Sequence, residues 1–404
     1  MPTNVRGLRA QIDDYVARSA HLIEQRHTTA EQLARCFEPA FDGAALLATA
    51  LTATRIQARQ HWSGALFSDG EAINTWQPFG NEPERYALIA SDGSQIMPDR
   101  HKPAVFAFVQ AACACIVYGC ADAPEAHTVA RVLQQEKRTR LLFEGDLNIG
   151  EFANPAAEVS NLRDVMEIEL LADACARFHA AGVRPIVIAD GSIVPFALLN
   201  ERTLSNPAQL GKLLRPLLEA LSVMRASGAR VAGYIDRPNS NSVARTCALA
   251  GISFDALTEE ALRNADARVD GIFDRHVLAP LLPTGRRSAL FDPNWLVNDN
   301  RYLGEHAMRA CYVNLGDHNR PVLGRLELPK WCADAESVAQ VTGILKRHAG
   351  MDPEGYPFIL KAAHEEAVVS KEDQKEIENA LEQALLQRGI QLRYSPKQAA
   401  KDRL

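Results

Sequence analysis

A chain of 404 residues that is 47% hydrophobic and 23% charged can bury a large core, which excludes a disordered segment or a disulfide-stapled miniprotein. The formal charge of −6 at pH 7 excludes a surface coated with basic residues, although it says little about a single groove. The sequence has no apolar run long enough to span a bilayer, and its start (MPTNVRGLRAQIDDY) lacks a signal-peptide core, so a cytoplasmic protein with no membrane partner is expected.

In chain order, Leu8, Ile12, Val16, Leu22 and Ile23 fall at helical spacing, and no Pro or Gly interrupts Ala10 to Phe37. This predicts an N-terminal helical arm over residues 1–62. A turn-rich stretch from Ser63 to Glu84 leads into a strand at Tyr86 to Ala90, expected to stop at Asp92 in SDGSQ. Ala104 to Tyr118 is apolar and β-prone and predicts one or two further strands. From there to about Pro155 the pattern is mixed.

Asn161 to Ala181 carries Val165, Leu170, Ala174 and Phe178 along one side and is closed by Gly182, which predicts a helix. Pro185 to Ala189 is a second buried strand, halted by DGS at Asp190. A helix at Pro207 to Ser227, a strand at Arg230 to Ile235 and a helix at Asn241 to Ala250 follow. Met308 to Leu315 and Pro321 to Leu328 read as strands. Ser337 to His348 and Lys371 to Gln387 read as helices, the second capped by Ser370. Neither a low-complexity linker nor a repeat divides the chain, so residues 63–404 are expected to form one α/β domain.

The eight cysteines sit mostly in apolar segments without paired CxxC or CxxH units, so they read as reduced core residues. From Arg388 to Leu404 the tail carries five Arg or Lys against one Asp, which is a plausible phosphate contact or a solvated helical end.

The feature richest in chemistry is a doubled device, an apolar strand followed by Asp-Gly-Ser, at Asp92 to Ser94 and again at Asp190 to Ser192. A carboxylate at a strand end is held rigidly, while the glycine lets the chain turn away and leaves room for a metal or a phosphate oxygen. Hard divalent cations prefer such oxygen ligands. Glu167 or Glu169 of the intervening helix offers a third acid. Tyr356-Pro357 and His364, within YPFILKAAHEEAVV, complete the candidates. An oxygen-rich metal site follows from these residues, but no substrate does.

These motifs, in order from Tyr86 to Lys401, resemble the NurA nuclease family. The resemblance rests on ALIASDGSQ, Arg163 to Glu167, IVIADGS and GYIDRP (Gly233 to Pro238), then on GRRS (Gly285 to Ser288) and RLELPKW (Arg325 to Trp331). It continues through Tyr356-Pro357, LKAAH (Leu360 to His364) and SPKQAAK (Ser395 to Lys401). It implies a ribonuclease H-like mixed sheet with helical insertions, and a homodimer whose channel admits DNA.

The implied activity is manganese-dependent cleavage of DNA, with Mn2+ as the cofactor and Mg2+ as the alternative ion. It takes the form of an exonuclease with single-strand endonuclease activity, working beside a HerA-like hexameric ATPase in DNA repair or anti-phage defence. Carried over, Asp92 and Asp190 are metal ligands and Glu167 the third acid, with Glu169 as its rival. His364 ligates metal or moves a proton, and Tyr356 orients the phosphate or stacks on a base. Arg286, Arg287, Lys397 and Lys401 grip the nucleic-acid backbone. Two rival readings are a catalytically silent DNA clamp for the ATPase and an unrelated α/β phosphatase.

Overall fold

The computed structural model describes residues 5–56, 61–67, 71–99, 102, 104–137, 140–142, 155–317 and 320–391. Lys397 and Lys401 lie outside the described residues. The chain divides into two compact units interleaved along the sequence. One comprises Met1–Phe79, Ile235–Asp299 and Met308–Glu327. The other comprises Gly80–Tyr234, Asn300–Ala307 and Leu328–Leu404.

The first unit opens with helices α1 (Arg9–Ala34) and α2 (Gly43–Ala53) and short strands β1 (Ala65–Phe67) and β2 (Gln77–Pro78). Ala30, Leu33 and Cys36 close one core with Val243, Cys247 and Leu278, far along the chain, whereas Ile12, Tyr15, Val16, Leu22 and Ile23 of α1 stay exposed.

The second unit begins with β3 (Tyr86–Ile96), β4 (Phe106–Tyr118), β5 (Glu125–Lys137) and β6 (Arg140–Leu142). Helix α3 (Pro155–Ala180) then leads to β7 (Pro185–Asp190), the short α4 (Glu201–Leu204), α5 (Pro207–Ala226) and β8 (Arg230–Asp236). Back in the first unit come α6 (Ser242–Cys247), α7 (Glu259–Arg268), α8 (Asp274–Leu278), β9 (Arg286–Arg287), β10 (Phe291–Pro293) and β11 (Met308–Asn314). Strand β12 (Leu323–Pro329) lies mostly in the first unit. Helices α9 (Ala335–Ala349), α10 (Phe358–Ala367) and α11 (Lys371–Gln387) complete the second.

In the first unit the strands run β1-β10-β11-β12, and β9 pairs with both β11 and β2. In the second the order is β8-β7-β3-β4-β5-β6. There β3, β4 and β5 pair antiparallel, while β7 returns through α3 to lie parallel to β3, and β8 lies parallel to β7. Antiparallel strands joined through a crossover helix to parallel ones make the mixed, ribonuclease H-like sheet expected from the sequence.

Strand alternation explains the layering. Ala107, Val109 and Ala111 of β4 face Val159 and Met166 of α3, whereas Phe106 and Phe108 pack with Ile377 and Leu381 of α11. At about 25 cal/mol per Å2 of apolar area removed from water, such faces are what hold helix to sheet. Among the described residues no helix is long and apolar enough to cross a membrane.

One local expectation is corrected. Strand β3 does not end at Asp92; it runs on to Ile96, with Gly93 paired to Ala111 and Ser94 to Gln110. The second DGS is the turn expected, because β7 ends at Asp190 and Gly191 adopts φ +81°. That conformation is open to glycine at little cost.

Candidate active site

Asp92 lies on β3 one residue beyond Ser91, which pairs with Ala189, and Asp190 lies one residue beyond Ala189 on β7. The two aspartates therefore stand side by side on neighbouring parallel strands. His364 approaches from α10, its Nδ1 2.6 Å from Asp92 Oδ2. An ionised carboxylate only accepts, so Nδ1 carries the proton and Nε2 is left free on a side chain that is 61% exposed. The Tyr356 hydroxyl, just before α10, donates to Asp190 Oδ1 at 2.8 Å. Burial, and then the Asp190 charge, push the Tyr356 phenol well above its ordinary range, so it remains a proton donor. Its ring meets Tyr234 of the GYI segment edge-on, with centroids 6.1 Å apart.

The third acid arrives from the opposite side of the strand. Asp92 faces α10, so its neighbour Gly93 faces α3. A Cβ at Gly93 would sit 2.4 Å from Glu167 Oε1 and 2.6 Å from Arg163 Cγ. The glycine is there to make room for Glu167, not to turn the chain. Arg163 Nε lies 3.1 Å from Glu167 Oε1, and Arg163 also donates to Asp164 at 2.9 Å. Burial pushes the Glu167 carboxyl up to about 8; Arg163 opposes that shift, while Asp164, Asp92 and Asp190 add repulsion.

Glu169, two residues on, is exposed on another face of α3. Its carboxyl is raised by burial, with Arg131, Asp173 and Glu219 as its charged neighbours and none of the other acids of this cleft. A cleft of about 340 Å3 is lined by Asp92, Arg163, Asp164, Glu167, Asp190 and Phe196, among others.

Gly233 was legible only as part of a motif. A Cβ there would lie 2.6 Å from the Gly191 carbonyl oxygen, so β8 lets the turn after Asp190 pass directly against it. Arg163, Tyr234 and Phe196 are site residues that motif reading did not assign. The spacing Arg163 to Glu167, one helical turn, was the available signal for the first.

The expected phosphate-gripping arginines are placed differently. Arg287 is 3% exposed, and its two terminal nitrogens bind Glu71 at 2.7 and 2.6 Å. A buried guanidinium spent on a bidentate ion pair is a structural cation, which corrects its assignment as a backbone contact. Arg286 is exposed, with one nitrogen on the Trp76 carbonyl at 3.4 Å. Both belong to the first unit. Seven cysteines are buried and free as expected, and Cys120 is exposed.

Asp92, Glu167 and Asp190 of the cleft, with the His364 imidazole bound to Asp92, are the donor chemistry that a hard divalent cation takes. The crowding of Asp164, Asp92 and Asp190 about Glu167 supports that fit, because each adds repulsion that a bound cation would relieve. As arranged, each acid is turned to its own partner, and among the described residues no three His, Cys, Asp or Glu side chains gather about one point.

The NurA domain family model matches residues 86–369, more than half of the chain. No curated protein sequence matches it. Among solved structures the chain is similar to the NurA nuclease from Sulfolobus solfataricus, with 14% identity, a TM-score of 0.45, and coverage of 78% of this chain and 88% of that one. It is also similar to the catalytic domain of human endonuclease V, with 12% identity, a TM-score of 0.31, and coverage of 76% and 92%. A third match, the ribonuclease H1 called LC9-RNase H1, has 10% identity, a TM-score of 0.22, and coverage of 41% and 69%.

Proposed function

Because the chain belongs to the NurA domain family, we propose that it is a divalent-metal-dependent nuclease that cleaves DNA, with the cleft of Asp92, Glu167 and Asp190 as its active site. The observation that carries the reading is the pairing of acids on neighbouring parallel strands, each fixed by a side chain that the loop and helix after residue 355 supply.

Asp92, Asp190 and Glu167 would hold the ion, with His364 as a further ligand or proton carrier. An ion held there would supply Lewis-acid chemistry, lowering the pKa of a water and stabilising charge on the departing oxygen of a phosphodiester. The protein's own residues do the rest. Tyr356 fixes the rotamer of Asp190 and keeps its proton. His364, oriented by Asp92, presents Nε2 to solvent, where it can take a proton from a water or give one to a leaving group. Arg163 holds Glu167 against the strand.

Mn2+ as the preferred ion, exonuclease with single-strand endonuclease activity, a homodimer and a HerA-like hexameric ATPase partner extend this proposal from the family resemblance. So do a cytoplasmic setting, a role in DNA repair or anti-phage defence, and a backbone grip by Arg286, Lys397 and Lys401. The division into an arm of residues 1–62 and a nuclease region of residues 63–404 belongs with these proposals. The test is degradation of end-labelled linear DNA with manganese, magnesium or EDTA, with and without a cognate ATPase. Metal-dependent loss of label that disappears in Asp190→Asn supports the reading. Label retained by the wild-type protein under all of these conditions overturns it.

A further inference from the structure

Phe196 is 82% exposed, the most exposed large apolar side chain among the described residues. A lone exposed phenylalanine needs no explanation by itself. Two features set this one apart: it lines the same cleft as Asp92, Glu167 and Asp190, and the segment carrying it is pinned from both sides. Ile193, Val194 and Leu198 are 2%, 0% and 0% exposed, and the Leu198 amide closes a turn onto the Pro195 carbonyl at 2.8 Å. Pro195, at φ −50°, leads directly into the 3-10 turn Phe196–Leu199. Burial on either side thus anchors a ring that is itself exposed at the wall of this cleft.

We propose that Phe196 is a stacking platform for one unpaired nucleobase, placed to seat the nucleotide beside the scissile phosphate. The proposal rests on the nuclease reading above and deepens it by naming what the cleft selects, a strand end whose bases are free. The chemistry follows from the ring. An aromatic face stacks on any base, so it selects for single-stranded or frayed ends without selecting sequence. Paired bases inside a duplex have no free face to offer. Phosphate contacts, by contrast, would come from cations and would not depend on whether a base is present.

The experiment is a double-mutant cycle across protein and DNA. Affinity for a short single-stranded oligonucleotide is measured by fluorescence anisotropy in the Asp190→Asn background, with Phe196 intact, Phe196→Ala or Phe196→Trp. The strand carries an abasic site at one position at a time, counted inward from either end. Phe196→Ala is expected to weaken binding roughly tenfold, as losing one stacked base does, and Phe196→Trp to retain it. At one position the abasic strand should abolish the difference between Phe and Ala, and the salt dependence should be the same for all three proteins.

Equal affinity of the Phe and Ala proteins on the intact strand overturns the inference. So does a constant Ala penalty at every abasic position, or a change in oligomeric state in its place. DNA cleavage by the Asp190→Asn protein is a different failure, because it removes the active-site reading on which the inference stands.

Discussion

Replacing Gly93 by alanine tests the geometry of the site with one methyl group. An ideal Cβ at residue 93 lies 2.4 Å from Glu167 Oε1 and 2.6 Å from Arg163 Cγ, against about 3.4 Å for ordinary contact. Glu167 must therefore retreat by about 1.0 Å and the Arg163 stem by about 0.8 Å, since both distances have to open to 3.4 Å. Gly93 is not among the glycines at positive φ, so alanine suits the backbone, and the strand gains roughly 0.5–1 kcal/mol over glycine. That gain offsets much of an overpacking cost of about 1–3 kcal/mol, so the variant should fold.

Activity should not survive, because misplacing a catalytic group by about 1 Å costs on the order of 100-fold. The assay is the initial rate of release of end label with manganese, beside thermal unfolding of the same preparations. Gly182→Ala serves as the control. It has φ +71° and nothing within 4 Å of an added Cβ, so it should lose stability through backbone strain and keep its activity. A folded Gly93→Ala protein that cleaves within about threefold of wild type would refute the assignment of Glu167.

Arg287→Ala takes the ion-pair partner from Glu71, which is 19% exposed and keeps the Leu290 amide as a donor, so a loss of about 1–3 kcal/mol in chemical denaturation is expected, with the salt dependence of DNA binding unchanged. Tyr356→Phe removes the donor to Asp190 and should lower turnover roughly tenfold while leaving the DNA dissociation constant alone, checked by anisotropy and single-turnover cleavage. Glu158 of α3 is 4% exposed, neither of its carboxylate oxygens has a hydrogen-bond partner, and burial raises its pKa from 4.5 to about 8 against the pull of Lys212. A carboxyl raised in the folded state favours folding below pH 4.5, and that contribution is lost as the pH climbs to about 8. Glu158→Gln should thus match wild type near pH 4.5. Near pH 9 it should exceed it by on the order of 1–2 kcal/mol, after a discount for Lys212 and local solvent access, read as thermal midpoints at both pH values.

Much of the second unit was legible because its elements carry clean periods. The strand at Pro185–Asp190 and the helix at 207–226 end within a residue of their sequence expectations, and the helix at 155–180 was found although it starts six residues before Asn161. Strand β5 was missed because Glu125–Lys137 mixes polar residues and cations, and pairing with β4 and β6, not apolar content, makes the strand.

The two DGS segments looked alike and are not. Gly191 turns the chain at φ +81°, whereas Gly93 stays in the ladder and yields space to α3. That distinction depends on a helix about seventy residues downstream and cannot be read locally. The same holds for Arg287, whose partner Glu71 is remote in sequence. Glu167 and Glu169 were equivalent by spacing, and only the orientation of α3 turns one to the cleft and the other outward.

The most direct test of the central claim is the rate of release of end label from linear DNA by wild type, Asp92→Asn and Asp190→Asn, with manganese and with EDTA, in the presence of a cognate ATPase. Cleavage by wild type is expected to be abolished by EDTA and to fall in both folded variants by at least on the order of 1000-fold. Equal rates in all three proteins, or cleavage indifferent to EDTA, would contradict it.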